Sequence, residues 1–473
     1  MTLGQQPQSV VIIGGGLSGA LVALQLLQQG TRPLRLSLVE RRHAIGRGVA
    51  YSSPLPCHLL NVPVNGVSLV QSEPDHFLHW LHRQGHDQFA AHSFVPRYLF
   101  GSYVQAALQG ARQQAAHAHL DTYRDEAVDL VPGLDGVGVG LGSGQLLLAD
   151  RVVLALGNPA PGSVAIPNGD FYQSHRYIDS GWSGQLDAAM AHDRLLLMGM
   201  GLTAIDWVVA LHSRGYGGEI HLLSRHGLLP QPHTAPQDYD PAWWTEPPPQ
   251  TTLGLLRWVR RQVDRATQQG YGWRAVLDSL RYQGQALWVS LPLAEKQRFV
   301  RHLRPYWDSH RHRIAPEIGE VVAALRRSQQ LQLHSGHLVN LEERGQGVAV
   351  TVRPRGQTTN QEFAVEAVIN CTGPQFDYAK LADPLVRSLL TRGLISPDPL
   401  RLGLQASSNG AVYSAQGIPS PWLYTLGPPR RGELWETTAV AEIRDQATAL
   451  AQALLGVGVT VSGGGQGGWI GSW

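Results

Sequence analysis

Three glycines near the start of the sequence have the spacing of a dinucleotide-binding turn. Gly14, Gly16 and Gly19 follow the short apolar run VVII and precede a segment of helical character, in the pattern G-x-G-x-x-G. Such a turn needs glycine for a tight bend, for close approach of the backbone to a pyrophosphate, and for close packing of helix on strand. Glu40 ends the next apolar run, where a carboxylate can accept hydrogen bonds from a ribose. These residues predict a bound dinucleotide.

The same order of strand, glycine turn and helix returns near residue 200. Gly199, Gly201 and Ala204 form a second fingerprint, with the alanine that its last position permits, and Thr203 lies within the turn. Two dinucleotide units on one chain imply two cofactors. We expect FAD in the first unit and NADP in the second, a pair that predicts electron transfer from a nicotinamide to a flavin.

The residue that follows the second strand differs between the two units. Glu40 and Arg225 each stand 21 residues after the last fingerprint position, from 19 to 40 and from 204 to 225. A carboxylate would repel the 2′-phosphate of NADP, whereas a guanidinium can hold it through charge-assisted hydrogen bonds. Arg225 therefore favours NADP over NAD. The alternative is a surface arginine that ends a strand by coincidence.

Composition limits the class of protein. The 473 residues include 43% hydrophobic residues, which is enough for about three domain-sized units. Lys plus Arg (38) and Asp plus Glu (36) nearly cancel to a net charge of +2, which predicts no nucleic-acid partner and no anionic membrane partner. The start of the sequence has no signal-peptide pattern and no apolar run reaches about 18 residues, so we expect a cytoplasmic protein. A homo-oligomer is compatible with the sequence.

The two cysteines are far apart in the sequence and form no C-x-x-C motif. Cys57 and Cys371 therefore argue against a disulfide framework, a structural zinc site and a dithiol redox centre. Two interpretations of Cys57 stay open, a reactive thiol near the flavin and an inert small apolar side chain.

The patterns predict an α/β fold with two Rossmann-like dinucleotide-binding domains, the second inserted in the first. We assign residues 1–185 and 365–455 to a discontinuous FAD-binding domain and residues 186–364 to the NADP-binding domain. The proline-rich stretch at 227–250 predicts a loop, and the helical spacing from about 251 to 330 predicts a helical insertion. The glycine-rich end, residues 456–473, predicts a disordered tail.

Two segments have a common organisation of short strands and glycine turns. They span residues 121–157 and 331–373, and end in Gly157 and Gly373 respectively. Each predicts a small antiparallel excursion that returns to its parent sheet and ends in a glycine beside a cofactor. The alternative is that each glycine only ends a buried strand.

Three stretches carry a family resemblance. They are GRGVAYSSPLPCHLLNVP at 46–63, LRPYWDSHRHRIAPE at 303–317 and GPPRRGELWETTAVAEIRDQA at 427–447. Together they resemble the FAD/NAD(P)-binding family that includes the FAD-dependent urate hydroxylase and the aspartate N-monooxygenase. The resemblance spans nearly the whole chain before the tail and implies a two-domain flavoprotein in which the NADP unit interrupts the FAD unit.

The resemblance also implies roles for individual residues. Arg47, Gly48 and Tyr51 are expected along the FAD, and Gly427 is expected to begin the last FAD contact before a closing helix from about 438 to 454. Asn61 is expected to approach the isoalloxazine ring as the candidate catalytic residue, where its amide could hydrogen-bond a reaction intermediate or the nicotinamide. The alternative for Asn61 is a turn-forming asparagine before Val-Pro.

Two arginines are candidates for binding an anion. Arg311 and Arg313 could hold an anionic substrate or the NADP phosphates, because guanidinium groups suit both. Solvated surface arginines are the alternative. His310 and His312 would diverge on a helix, and Asp308 with His312 supplies only two ligands, so we expect no metal site.

The function expected from these observations is that of an FAD-dependent, NADPH-using monooxygenase. It would hydroxylate a small polar, nitrogen-containing substrate through a C4a-hydroperoxyflavin, the chemistry that the flavin brings to this class. A flavin reductase that passes electrons to another acceptor, and a flavin-binding protein without turnover, are the alternatives. Disulfide reductases share the layout but need a redox C-x-x-C, which is missing here.

Overall fold

The computed structural model describes residues 7–42, 44–181 and 184–456, and the predicted tail from residue 457 onward lies outside these ranges. The strands are β1 (Gln8–Ile13), β2 (Leu34–Val39), β3 (Ala118–Tyr123), β4 (Ala127–Gly133), β5 (Gly136–Leu141), β6 (Leu146–Ala149), β7 (Arg151–Leu154), β8 (Tyr177–Ile178), β9 (Arg194–Met198), β10 (Glu219–Ser224), β11 (Leu331–Arg344), β12 (Gly347–Pro354), β13 (Gln361–Val365), β14 (Ala367–Asn370), β15 (Ala411–Tyr413) and β16 (Pro419–Thr425).

The α-helices are α1 (Leu17–Gln29), α2 (Gly48–Tyr51), α3 (His76–Arg83), α4 (Arg97–Gln114), α5 (Leu186–Met190), α6 (Leu202–Ser213), α7 (Thr252–Gln268), α8 (Trp273–Ser279), α9 (Arg281–Ser290), α10 (Leu293–His302), α11 (Arg304–Arg311), α12 (Pro316–Arg327), α13 (Pro384–Thr391), α14 (Arg431–Leu434) and α15 (Val440–Leu455). Short 3₁₀ turns lie at Val64–Gly66, Gly169–Gln173, Pro241–Trp243, Tyr378–Lys380 and Pro428–Arg430. Over the described ranges, none of the helices is long and apolar enough to cross a membrane.

The first sheet has six strands in the order β15-β16-β7-β1-β2-β3. Its central strand β1 pairs in parallel with β2 and β7, so that Val10 lies beside both Leu36 and Arg151. One face of β1 packs against α1, α4 and α15, and the other packs against β4 to β6 and α13. Burial on both faces explains why its apolar run shows no polar alternation.

The second sheet has the order β13-β12-β11-β10-β9-β14-β8. β9 pairs in parallel with β10 and β14. α6 and α12 cover one face, and the 3₁₀ turn at 169–173 packs with the antiparallel strands on the other. The two sheets confirm the predicted α/β class with two dinucleotide-binding units.

Both predicted excursions are present. β4, β5 and β6 form an antiparallel sheet before β7 returns beside β1. β11 first runs parallel to β10, then pairs antiparallel with β12, which pairs antiparallel with β13. β14 then returns beside β9. Each unit therefore carries one antiparallel excursion between consecutive strands of its parent sheet.

The boundaries predicted at residues 185 and 365 are wrong. β14 lies in the second sheet, with Val368 beside Leu196, and β8 pairs with β14 on its far side. The second unit therefore includes residues 177–178 and extends through residue 370. The physical reason is that the strand after an excursion returns to the sheet from which the chain departed. The connections between the units lie side by side through an antiparallel bridge between Pro161 and Pro374.

The predicted helical insertion contains α7 to α12. Its last helix differs from the others, because Val322 and Leu325 of α12 belong to the core of the second unit. α7 to α11 have apolar clusters of their own, one of which also joins Trp288 to Trp435 of the first unit. Apart from the 3₁₀ turn at 241–243, the proline-rich stretch at 227–250 is free of helix, as predicted.

Candidate functional site

The first fingerprint forms a turn between β1 and α1 in which two glycines have no room for a side chain. Gly14 has a φ of +105°, and a Cβ there would lie 2.3 Å from the Ala155 carbonyl oxygen. A Cβ on Gly19 would lie 1.9 Å from the Gly14 carbonyl oxygen. α1 begins directly after Gly16, and residues 16–18 line a large cavity. The free backbone N–H groups of the helix start therefore face this cavity, as a pyrophosphate site requires.

Glu40 is buried at the same turn, with only 9% of its surface exposed. Its Oε2 accepts a hydrogen bond from the Gly15 N–H at 2.8 Å, and its Oε1 accepts one from the Arg42 N–H at 2.9 Å. These bonds fix the carboxylate where it lines the cavity. A carboxylate only accepts hydrogen bonds, which is the chemistry that a ribose hydroxyl requires of its partner.

The segment that follows Glu40 folds back over the fingerprint. The Gly46 N–H donates to the Gly15 carbonyl oxygen at 2.7 Å. Gly48 has a φ of +54°, and a Cβ on it would lie 3.0 Å from the Cα of Gly16. The predicted FAD residues 47–51 therefore form part of the wall that encloses the first turn.

Arg47 and Tyr51 are held by α4. Arg47 donates from Nε to Gln105 Oε1 at 3.0 Å and from Nη2 to Ser102 Oγ at 3.2 Å. The Tyr51 ring packs 4.8 Å from the Phe100 ring, and burial raises the pKa of the Tyr51 hydroxyl to about 12. Both residues line the cavity.

The cavity has a volume of about 2780 Å³ and borders both dinucleotide units. Small-molecule pockets usually measure about 300–1,000 Å³, so this cavity has room for a dinucleotide and a further ligand. The lining residues relevant to the predictions are Gly14, Gly16, Glu40, Arg47, Gly48, Tyr51, Asn61, Gly157, Thr203, Arg311, Arg313 and Gly373. The structure thus brings most of the predicted site residues to one continuous surface.

Gly157 and Gly373 lie just after β7 and β14, at equivalent positions in the two units. Their φ angles are +63° and +86°, and a Cβ on either would have no neighbouring atom within 4 Å. Since nothing packs there, burial of a strand end does not explain these glycines. Their backbones instead form an open part of the cavity wall.

Asn61 lines the cavity between the two units. Its carbonyl oxygen accepts a hydrogen bond from His233 Nε2 at 3.0 Å, which ties its loop to the start of the proline-rich stretch. Burial lowers the pKa of His233, so the ring is neutral at neutral pH. The location agrees with a residue that faces a ligand, and its catalytic role stays a prediction.

Gly427 has a packing role that the sequence did not reveal. It has a φ of +72°, and a Cβ on it would lie 2.8 Å from Ser18 Oγ on α1. Its N–H donates to Gln446 Oε1 at 2.9 Å, and its carbonyl oxygen accepts from Thr437 Oγ1 at 2.8 Å. These bonds seat the start of the closing helix, α15, against α1. The predicted FAD contact at Gly427 stays untested.

The second fingerprint repeats the first turn between β9 and α6. Gly199 has a φ of +117°, and a Cβ there would lie 2.2 Å from the Cys371 carbonyl oxygen. Gly201 is exposed, and its Cβ position has no neighbour within 4 Å. Ala204 is fully buried, and Thr203 lines the cavity in the first turn of α6. The turn has the backbone shape of a phosphate site but is open.

Arg225 is exposed directly after β10, a position that fits both a contact with the 2′-phosphate and the alternative of a surface arginine. Burial and the positive charges of Arg355, Arg225 and His337 lower the pKa of the neighbouring His226, so these basic side chains form a cluster around His226. Arg355 donates to the Tyr306 hydroxyl at 3.2 Å. In the described part of the chain, no carboxylate forms an ion pair with either arginine. Sequence spacing could not identify Arg355, since it comes from the second excursion.

Arg311 and Arg313 both line the cavity, and both already have carboxylate partners. Arg311 lies 3.5 Å from Glu436 Oε2. Arg313 is buried and donates to Asp278 Oδ2 at 2.9 Å and to the His310 carbonyl oxygen at 3.0 Å. The side chain of Arg313 therefore has a structural role, and neither arginine is a solvated surface residue.

The last two stretches that carry the family resemblance contact each other. Trp307 donates to Glu436 Oε1 at 3.3 Å, and Asp308 lies 3.6 Å from Arg431. The Arg431 guanidinium also lies 4.8 Å from the Trp435 ring, and burial lowers its pKa to about 10. This buried network joins α11 of the insertion to the segment that precedes α15.

Both cysteines are free thiols in the structure and form no disulfide with each other. Cys57 Sγ lies 3.4 Å from Ser213 Oγ at the end of α6. Cys371 is buried, which raises the pKa of its thiol. Among the residues that the structure describes, no group of three or more His, Cys, Asp or Glu side chains could hold a metal ion.

The sequence of the first unit has a recognised family pattern. Residues 11–159 match a family model described as FAD-NAD(P)-binding. The matched region contains the first fingerprint, Glu40, the loop with Asn61, and β7 with Gly157 after it. No curated protein matches the chain.

Solved structures match almost the whole chain at low sequence identity. The ornithine N-hydroxylase of Kutzneria sp. 744, solved with reduced FAD, NADP+ and L-ornithine, gives a TM-score of 0.63 at 15% identity and covers 95% of this chain and 99% of that one. L-lysine 6-monooxygenase from Pseudomonas syringae gives 0.61 at 17% identity over 94% and 98%. Thioredoxin reductase from Lactococcus lactis gives 0.52 at 9% identity over 94% and 97%. This similarity establishes a fold shared with two-domain flavoproteins.

Proposed function

We propose that this protein is an FAD-dependent oxidoreductase that takes electrons from NADPH and hydroxylates a small polar, nitrogen-containing substrate. The observation that carries the proposal is the one cavity that reaches the first turn at Gly16, the second helix at Thr203 and the insertion at Arg311. A flavin, a nicotinamide and a substrate can therefore meet in one continuous space. When bound, FAD would supply the acceptance of two electrons and the activation of dioxygen.

The residues of the first turn fit FAD. The start of α1 would hold the pyrophosphate, and Glu40 would accept a hydrogen bond from the ribose. Gly157 and Gly373 would offer backbone surface to the flavin, because both line the cavity and no protein atom lies within 4 Å of the Cβ position of either. Their positions after β7 and β14 are those at which ligands bind in open parallel sheets.

The second turn and the basic cluster around His226 fit NADP. The start of α6 would hold the pyrophosphate, and Arg225 with Arg355 would bind the 2′-phosphate. Both guanidinium groups are exposed, so NADPH could enter and leave without unfolding the turn.

The insertion end of the cavity fits a small polar substrate. Carboxylates of Asp278, Glu436 and Glu442 line it beside the guanidinium groups of Arg281 and Arg311. Each of these carboxylates is ion-paired, Asp278 with Arg313, Glu436 with Arg311 and Glu442 with Arg281, so the surface carries both charges. Such a surface can bind a zwitterionic amino acid, which agrees with the ornithine and lysine named for two structural neighbours. The remaining task of this wall would be to exclude water from the reacting atoms.

The test is substrate-stimulated oxygenation by the FAD-loaded protein. Candidate amines and amino acids are mixed with NADPH and isotopically labelled dioxygen, and NADPH oxidation and product mass are measured together. We expect one class of substrate to increase NADPH oxidation by about tenfold and to gain one labelled oxygen atom. The proposal fails if no candidate gains oxygen while NADPH oxidation with artificial electron acceptors is fast, because that result identifies a flavin reductase.

A further inference from the structure

A buried ion pair joins the two dinucleotide units at the wall of the cavity. Arg97, the first residue of α4, donates from Nη1 and Nη2 to Oδ2 and Oδ1 of Asp206, at 2.6 and 2.9 Å. Asp206 lies on α6, two residues after Ala204. The two side chains are 11% and 10% exposed. Because two parallel hydrogen bonds fix orientation as well as distance, this pair holds α6 at a defined angle to the first unit.

The backbone around Asp206 is held by the same segment of the first unit. His58 Nε2 donates to the Asp206 carbonyl oxygen at 3.0 Å, while His58 Nδ1 lies 2.6 Å from Ser53 Oγ. Burial lowers the pKa of His58, so its ring is neutral, with Nε2 as its donor. Arg97 also donates from Nε to the Leu59 carbonyl oxygen at 2.8 Å. The Arg97 N–H also donates to the His58 carbonyl oxygen at 2.9 Å, so five hydrogen bonds connect α4, the segment 58–59 and α6.

This joint lies between two predicted contacts with ligands. The segment 58–59 is followed after one residue by Asn61, and Thr203 lies one helical turn before Asp206. Arg97, Asn61, Thr203 and Asp206 all line the cavity. A shift of α6 relative to α4 would therefore move the second turn relative to the Asn61 loop.

We propose that Arg97 and Asp206 are a positioning pair that sets the nicotinamide end of the second site against the flavin end of the first. This inference rests on the proposed function. In this account neither residue touches a reacting atom. Their effect comes from geometry, because a displacement of about 1 Å between reacting groups can cost about a hundredfold in rate. Binding of NADPH depends instead on the turn at Gly201 and on Arg225, which the pair does not contact.

The test compares Arg97→Lys, Asp206→Asn and the double variant, each loaded with FAD and reduced anaerobically by NADPH over a range of concentrations. Arg97→Lys retains the charge but loses the two-pronged geometry. We expect the limiting rate of flavin reduction to fall by about tenfold to a hundredfold, while the dissociation constant of NADPH changes by less than about threefold. The double variant should be no slower than the slower single variant, because both changes act on one joint.

A matched control is Arg392→Lys. Arg392 pairs with Asp129 at 3.0 Å and joins α13 to β4 entirely within the first unit. Neither residue lines the cavity. Neither the limiting rate nor the dissociation constant should change in this variant.

Hydrogen exchange gives a second readout that does not depend on activity. In Arg97→Lys we expect amide exchange to rise by about tenfold or more in segments 55–62 and 200–212, with β1 unchanged. Faster exchange with an unchanged limiting rate would show that the pair is structural only, and unchanged exchange would show that it holds nothing in place. Either result overturns the proposal. If the wild-type protein binds FAD but NADPH does not reduce it, the proposed function fails, and exchange still decides whether the joint exists.

Discussion

The two dinucleotide units have the same turn but enclose it to different degrees. In both units, the first glycine packs against the carbonyl group of the residue that follows a neighbouring strand. A Cβ on Gly14 would lie 2.3 Å from the Ala155 carbonyl oxygen, and a Cβ on Gly199 would lie 2.2 Å from the Cys371 carbonyl oxygen. The middle glycines differ. Gly16 lies under the backbone of Gly48, whereas the Cβ position of Gly201 has no neighbour within 4 Å.

The residue that would meet the ribose is likewise buried in the first unit and exposed in the second. Glu40 is 9% exposed and held by two backbone N–H groups, while Arg225 is exposed in a cluster of basic side chains. The same turn can therefore suit a resident cofactor where another segment of the chain covers it and an exchanging cofactor where it is open. We infer that the covered first unit retains FAD and that the open second unit exchanges NADP.

The largest expected effect comes from substituting the last residue of each fingerprint, Gly19 in the first unit and Ala204 in the second. Gly19→Ala places a Cβ 1.9 Å from the Gly14 carbonyl oxygen, so we expect a loss of about 3 kcal/mol in stability and purification without flavin. Ala204→Gly removes a buried methyl group from a helix and should cost only about 1 kcal/mol, with FAD retained. Flavin absorbance of the purified proteins and denaturant unfolding measure both effects. Equal losses in the two variants would contradict the comparison.

A smaller effect is expected at the basic cluster. Arg225→Gln and Arg355→Gln should each weaken binding of 2′,5′-ADP by about tenfold to a hundredfold, because a hydrogen bond to a charged group contributes about 1.5–3 kcal/mol. Binding of 5′-AMP, which lacks the 2′-phosphate, should stay unchanged and serves as the control. Calorimetric titration measures both ligands. If both weaken equally in Arg355→Gln, this residue contributes to folding and does not select the phosphate.

The pH dependence of the joint between the units gives a smaller effect still. Burial lowers the pKa of His58, so the unfolded state binds more protons than the folded state as pH falls below about 6.5. Stability is therefore complete above that pH and is lost on acidification. Between about pH 7 and pH 5.5, the wild type should lose up to about 1.4 kcal/mol per pH unit more than His58→Gln. Denaturant unfolding measures this, with the exposed His82→Gln as the control, and equal slopes would exclude the effect.

The smallest effect is expected at the thiol. Cys57 is a free thiol that contacts Ser213 at the end of α6. Cys57→Ser should therefore change the rate of NADPH oxidation by less than about twofold. A large loss of activity in this variant would show that the thiol takes part in electron transfer. That result would favour the alternative function of a flavin reductase.

Much of the fold was predictable because its signals are local. The two fingerprints, the apolar strands before them and the proline-rich stretch are each contained in short windows of sequence, and the structure confirms all of them. The boundary at residue 365 was not predictable in this way. Nothing within the run that becomes β14 indicates which of two similar sheets it joins, since that depends on β9 as its neighbour.

The candidate site was predictable only where one segment forms it. Glu40 and Arg225 follow from a fixed spacing along the chain. Arg355 reaches its cluster from the second excursion, and Arg97 meets Asp206 across more than a hundred residues. The first contact depends on how the excursion folds back within the second unit, and the second depends on how the two units dock. No period or motif in the sequence records either arrangement.

If two unlike dinucleotide sites open onto one cavity, NADPH bound at the second should reduce FAD bound at the first, and anaerobic reduction of the purified protein measures this step. NADPH or NADH is mixed with the FAD-loaded protein without oxygen, and the visible absorbance of the flavin is followed. We expect the purified protein to retain about one flavin per chain. We also expect NADPH to bleach the flavin absorbance at a concentration about tenfold or more below the concentration of NADH that is needed. Flavin that stays oxidised at saturating NADPH would exclude electron transfer from the second site to the first.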